Sequence, residues 1–172
     1  MNGQGIFVSN PEVVRDPAVP VPRWHLAPEG IARMRRLAAD PRLEGLAAVW
    51  ASDETKAIEA AGILAARFGL PVRVHPGLAE MDRSSTGYRP REAFERLADA
   101  FFAHPEVSAE GWERAVDAQA RVVAAAREIL AGHGGGGVAL VGHGGTGALR
   151  MCALAGLPME QIGMHLVFGA CV

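Results

Sequence analysis

The chain reads as an α/β protein, a three-layer α/β/α sandwich built on a mostly parallel sheet. Short apolar runs alternate with amphipathic helical segments along its length, the pattern that gives parallel strands covered on both faces. Val138-Ala139-Leu140-Val141 runs into Gly142-His143-Gly144-Gly145-Thr146-Gly147 and then into an alanine- and leucine-rich segment, which predicts a buried strand, a tight turn and the start of a helix. A length of 172 residues suffices for a three-layer core, so a single domain over 1–172 is expected.

The elements follow in order. Gly5-Ile6-Phe7-Val8-Ser9 is a short strand halted by Asn10-Pro11. Pro17, Pro20 and Pro22 make the stretch up to Pro28 an ordered surface loop. Pro28-Glu29-Gly30 opens a helix with Ile31, Met34, Leu37 and Ala38 at helical spacing. Leu46–Ala51 is a second buried strand, and Ser52 or Asp53 can cap a helix whose apolar face carries Ala57, Ala61, Leu64, Ala65 and Phe68 before Gly69 stops it. Pro71–His75 is a third strand. Residues 83–108 begin with the polar run Ser84-Ser85-Thr86-Gly87 and continue as an amphipathic helix through Phe94, Leu97, Ala98 and Phe101, an insertion expected to hang over the strand ends as a lid. A longer helix is expected from about Glu110 to Ala131, lined by Trp112, Val116, Ala120, Val123 and Ile129. Met164–Ala170 reads as a fifth strand.

Composition excludes several classes. The net charge of −2 offers no electrostatic case for nucleic acid or an anionic membrane. No apolar run is long enough to span a bilayer and no secretory leader pattern opens the chain, so a cytoplasmic protein is expected. Cys152 and Cys171 lack metal-ligand or disulfide-framework spacing, and no histidine pair has metal-ligand spacing on a predicted helix; neither a cofactor nor a metal is expected. Oligomeric state stays open, a homo-oligomer included. Gly142, Gly144 and Gly147 fit a dinucleotide GxGxxG, but no βαβ unit or acidic partner follows. The glycines at 134–137 lack the lysine of a phosphate-binding loop, and no GxSxG elbow marks a serine hydrolase. His143 at the carboxyl end of a strand, just before a helix N-terminus, is the position where an α/β sheet binds an anion.

Four stretches, taken together, resemble one family. Val141-Gly142-His143-Gly144-Gly145 resembles the second-histidine motif of the histidine phosphatase superfamily, the phosphoglycerate mutase-like proteins. Trp24–Gly30 resembles its W-x-L-T-x-x-G segment, Ala51–Ala61 its S-S-D-x-x-R-A-x-x-T-A segment, and Leu78-Ala79-Glu80-Met81-Asp82 the L-x-E-x-D that carries its proton donor. The resemblance implies a phosphoglycerate mutase-like fold and a phosphate-ester pocket. In it Ser9, Lys56, His143 and Gly144 would bind phosphate, with Glu80 and His143 as catalytic groups.

The first motif departs from the family. Where the resemblance implies Arg-His-Gly with a nucleophilic histidine, this chain has Ser9-Asn10-Pro11, and an amide nitrogen has no basic lone pair with which to form a phosphoryl intermediate. Lys56 stands for a second arginine and loses its bidentate fork. General acid catalysis at its usual ~10²–10⁴-fold does not make good the loss of a covalent route. The expectation is a catalytically impaired member that binds a phosphorylated small molecule or phosphoprotein. Its alternatives are an active phosphatase or phosphomutase working by an altered route, and an interaction protein with an idle pocket.

Overall fold

A computed structural model of the chain describes residues 5–162. Four strands form one sheet: β1 (Gly5–Ser9), β2 (Leu46–Ala51), β3 (Val72–Val74) and β4 (Gly137–Gly142). They lie in the order β1-β4-β2-β3 with every pairing parallel. The helices are α1 (Pro28–Ala38), α2 (Thr55–Phe68), α3 (Arg91–Ala103), α4 (Ala115–Ala131) and α5 (Gly144–Ala155). This is the mostly parallel α/β architecture expected. The strand expected at 164–170 lies outside the described residues.

The period-two alternation of the strands sorts the core into two faces. Ala139 and Val141 of β4 and Val49 and Ala51 of β2 pack with Met34, Ala38, Ala57, Ala61 and Leu64 of α1 and α2. Val138 and Leu140 of β4, with Ala48 and Trp50 of β2, face Val122, Ala125, Ala126 and Ile129 of α4. Every residue of β4 is buried, which is why it reads as an unbroken apolar run. At Gly30 a Cβ would lie 2.3 Å from the Glu12 carbonyl oxygen, so α1 can start against the preceding loop only with glycine there. The proline-rich loop is ordered as expected: Trp24 Nε1 donates to the carbonyls of Asp16 (2.9 Å) and Val19 (3.0 Å).

Three local expectations are corrected. The last long helix starts at Ala115 rather than near Glu110, because Glu110 (φ 49°) and Gly111 (φ 83°) turn the chain with left-handed backbone first. Its buried face is Ala115, Ala118, Val122, Ala125, Ala126 and Ile129, while Val116 and Val123 are half-buried and Ala120 is exposed. Small alanines admit close packing on the sheet, so the largest residues were a poor guide to the inward face. The residue before α2 is Glu54, whose side chain makes no cap; Ser52 and Asp53 are not its caps either. α3 buries Ala98, Phe101 and Phe102 with Trp112 and with Leu149 and Cys152 of α5. These contacts make α3 part of the packed body, and they do not establish the lid expected over 83–108. No described helix is long and apolar enough to cross a membrane.

Candidate functional site

Parallel register brings three strand ends together. Ser9 pairs with Gly142, and Ala51 with Val141, so the residues that leave β1, β4 and β2 emerge side by side. The Asn10 N–H donates to the Gly142 carbonyl (2.9 Å) and the Ser52 N–H to the Val141 carbonyl (3.0 Å), carrying the pairing one step past the strands. Asn10, Ser52 and His143 therefore meet at the carboxyl edge, although 133 positions separate Asn10 from His143.

His143 is buried and both of its ring nitrogens are engaged. Nδ1 lies 2.8 Å from Asn10 Oδ1, and the Asn10 amide nitrogen donates to the Pro11 carbonyl (3.1 Å). The amide oxygen can only accept, so Nδ1 carries the proton. Nε2 is then left to accept from the Ser52 hydroxyl at 2.7 Å. Burial pushes the imidazole pKa below its ordinary 6.5, against the pull of Glu54 and Glu80, which keeps the ring neutral at pH 7.

Glu80 is anchored on the helix that His143 introduces. Its carboxylate accepts from the N–H groups of Gly145 (3.0 Å) and Thr146 (2.9 Å), the unpaired donors of the first turn of α5. A Cβ at residue 145 would come within 2.8 Å of Glu80 Oε1, so glycine is what lets the carboxylate reach these donors. Gly144 opens the same helix. The anion position at the end of β4 thus holds a carboxylate of the chain itself.

Lys56 reaches the site but is already committed. Its ammonium is buried, donates to the Val21 carbonyl (3.0 Å) and pairs closely with the Glu54 carboxylate. Glu54 also accepts from the Glu80 N–H (2.9 Å) and approaches His143 Nε2 at 3.3 Å. Its pKa lies below the ordinary carboxyl value, because burial, which alone would raise it, is outweighed by His143, Lys56 and the hydrogen bonds from Lys56 and the Glu80 N–H. Ser9 lines a cavity of about 240 Å³ with Pro11, Arg33, Arg36, Asp40 and Arg42, in which Arg42 pairs with Asp40 and Arg33 with Glu12.

Sequence reasoning missed three residues here. Glu54 occupies a variable position of the motif it lies in; the available signal was a carboxylate three residues past the end of β2. Ser52 stands where a helix cap is expected, yet its hydroxyl serves His143. Arg121 of α4 had no motif at all. Its guanidinium donates to the carbonyls of Gly77 (3.1 Å), Ala79 (3.0 Å) and Glu80 (3.2 Å) and to both oxygens of Glu113 (2.9 and 2.7 Å). Glu113 in turn accepts from the Asp82 N–H (3.1 Å), so the turn that presents Glu80 is held at both ends. No group of three or more histidine, cysteine, aspartate or glutamate residues able to hold a metal is present among the described residues.

Known structures share this fold. A protein of Bacillus stearothermophilus, YhfR, superposes with a TM-score of 0.77 at 25% identity, over 94% of this chain and 82% of its own. The mycobacterial glucosyl-3-phosphoglycerate phosphatase gives 0.75 at 23% identity, over 94% and 81%. Its complex with inorganic phosphate gives 0.72 at 24%, again over 94% and 81%. No curated protein matches the chain significantly in sequence. The model of the histidine phosphatase superfamily, branch 1, matches residues 21–172, and the chain accordingly belongs to that superfamily.

Proposed function

We propose that this protein holds a phosphorylated small molecule or phosphoprotein in the superfamily's pocket and does not turn it over through a phosphohistidine. One observation carries the reading: the side chain at the end of β1 is the Asn10 amide, with Oδ1 on His143 Nδ1 at 2.8 Å, where phosphohistidine chemistry needs a nucleophilic imidazole. Binding is supported by the N–H groups at the start of α5, which already carry a carboxylate's charge. The mycobacterial neighbour is described in complex with inorganic phosphate, in keeping with a phosphate ligand. A phosphoryl group would take the donor of Gly144, and those of Gly145 and Thr146 after Glu80 yields them, with Ser9 and His143 bordering it and Lys56 adding charge from behind Glu54. Competition with Glu80 and the missing arginine clamps make the affinity weak.

Thermal melting against inorganic phosphate tests the binding. A ligand that binds only the folded state adds RT ln(1 + [L]/Kd) to its stability, so the midpoint should climb with phosphate and not with chloride at equal ionic strength. Indifference to phosphate removes the reading's support. In the same samples a radioactive phosphoryl donor should leave no acid-labile label; strong labelling would show that another residue is the nucleophile.

A further inference from the structure

We propose that Ser52, His143 and Asn10 form a nucleophile, base and orienting group able to take up and hydrolyse small carboxylic esters. The three lie in one line: Ser52 Oγ is 2.7 Å from His143 Nε2, and His143 Nδ1 is 2.8 Å from Asn10 Oδ1. Both distances fall in the range in which a base takes a proton from a serine hydroxyl while a third group holds its ring. Asn10 also selects the tautomer. Because its oxygen can only accept, the proton sits on Nδ1 and the Nε2 lone pair faces Ser52, which is the form a general base requires. The lowered pKa keeps that lone pair free at neutral pH. The same asparagine that removes phosphohistidine chemistry therefore completes a different constellation, without any GxSxG elbow. It is assembled from three separate strand ends.

The site's charge favours a neutral acyl electrophile over a phosphate at this nucleophile. Glu54 Oε1 lies 3.3 Å from Nε2, next to the attacking oxygen, and would repel a dianion there. For an imidazolium the same carboxylate is a stabilising partner. In the forward step Ser52 Oγ forms a bond to the ester carbonyl carbon, its proton passes to His143 Nε2, the ester C–O bond breaks, and His143 returns the proton to the departing alcohol. Water then bonds to the acyl carbon and gives a proton to Nε2, the bond from that carbon to Oγ breaks, His143 returns the proton to Oγ, and the carboxylic acid leaves with Ser52 restored. Ester plus water becomes acid plus alcohol. Oxyanion charge falls to the first-turn N–H groups of α5, which follow His143 directly and at present hold the Glu80 carboxylate. Ser52 and His143 are both fully buried beside Glu54, so an ester reaches Oγ only when the surrounding strand ends open, and a short acyl group needs the least opening.

The test uses the full chain with 4-nitrophenyl acetate and 4-nitrophenyl octanoate, following nitrophenolate release and mapping the acyl group by peptide mass spectrometry. Acetyl should appear on Ser52, and octanoyl should not. Ser52→Ala should bring release down to the rate of nonspecific surface acetylation, and His143→Gln should cost about 10²–10⁴-fold, the usual value of a general base. Asn10 is the positioning residue: Asn10→Ala should lose the activity and Asn10→Asp should restore it, at matched melting temperatures. The proposal fails if Ser52 carries no acetyl group while surface residues do, if Ser52→Ala keeps the rate, or if Asn10→Ala and Asn10→Asp are equal. None of these outcomes depends on phosphate binding.

Discussion

Glu80→Gln separates the two occupants of the α5 N-terminus. The carboxylate accepts two backbone N–H bonds there, at 3.0 and 2.9 Å, and it faces the positive end of a 12-residue helix. A glutamine keeps the shape but can offer only one accepting oxygen and no charge. Hydrogen bonds to a charged group contribute about 1.5–3 kcal/mol against about 0.5–1.5 for neutral ones. The charge–dipole contribution adds about 0.3–1 kcal/mol at a partly exposed position. A net loss of about 2 kcal/mol follows, and at this chain length that lowers the melting midpoint by roughly 4–8 °C. The same free energy is what an entering phosphate must displace, so its removal should tighten phosphate binding by roughly 30-fold, since about 1.4 kcal/mol is tenfold. Melting curves with and without phosphate, together with calorimetric titration, read both quantities on one variant. Weaker phosphate binding in Glu80→Gln, or an unchanged midpoint without ligand, refutes the idea that Glu80 is the resident anion.

Two further perturbations probe the supports of the site. Arg121→Met removes the guanidinium that bridges three carbonyls and Glu113, and should cost about 2–3 kcal/mol, seen as a midpoint lower by roughly 5–10 °C. Combined with Glu113→Gln the losses should be far from additive, with a coupling above about 1 kcal/mol; additive losses would mean the two groups act separately. Acid should destabilise the fold in two stages. Burial lowers the His143 pKa from its ordinary 6.5, and Glu54 lies below its ordinary 4.5, so in both cases the unfolded chain binds protons that the folded one does not. Stability is then fully present above about pH 6.5. It falls as His143 is titrated in the unfolded state below that, and falls again below about pH 4.5 through Glu54. Chemical denaturation between pH 4 and 8 measures this, and His143→Gln should flatten the upper stage; an unchanged profile in that variant would assign the upper stage to another group.

Local pattern by itself determined the architecture. Short apolar runs, the proline at 28 and the glycine at 69 mark strands, a helix start and a helix stop within a few residues, because backbone preference and side-chain periodicity act over one or two turns. The His143 turn and the Glu80 segment were readable for the same reason, since each is a contiguous motif. Tertiary structure alone decided what those residues touch. Asn10 meets His143 because β1 and β4 pair in the register that sets Ser9 opposite Gly142, and no local signal encodes a register between strands so far apart in the chain. Ser52 could serve as a cap or as a partner of His143, and the β2–β4 pairing chose the second. Lys56 has the right position and charge to meet a phosphate, yet Glu54 and the Val21 carbonyl take its ammonium, an outcome set by which side chains converge on one buried point. In α4 the inward face falls on alanines, because the distance between helix and sheet, which no window of sequence contains, decides whether small or large residues face in. Charges, strand ends and close packing are properties of the assembled layers, and so this site became visible only where the three strand ends came together.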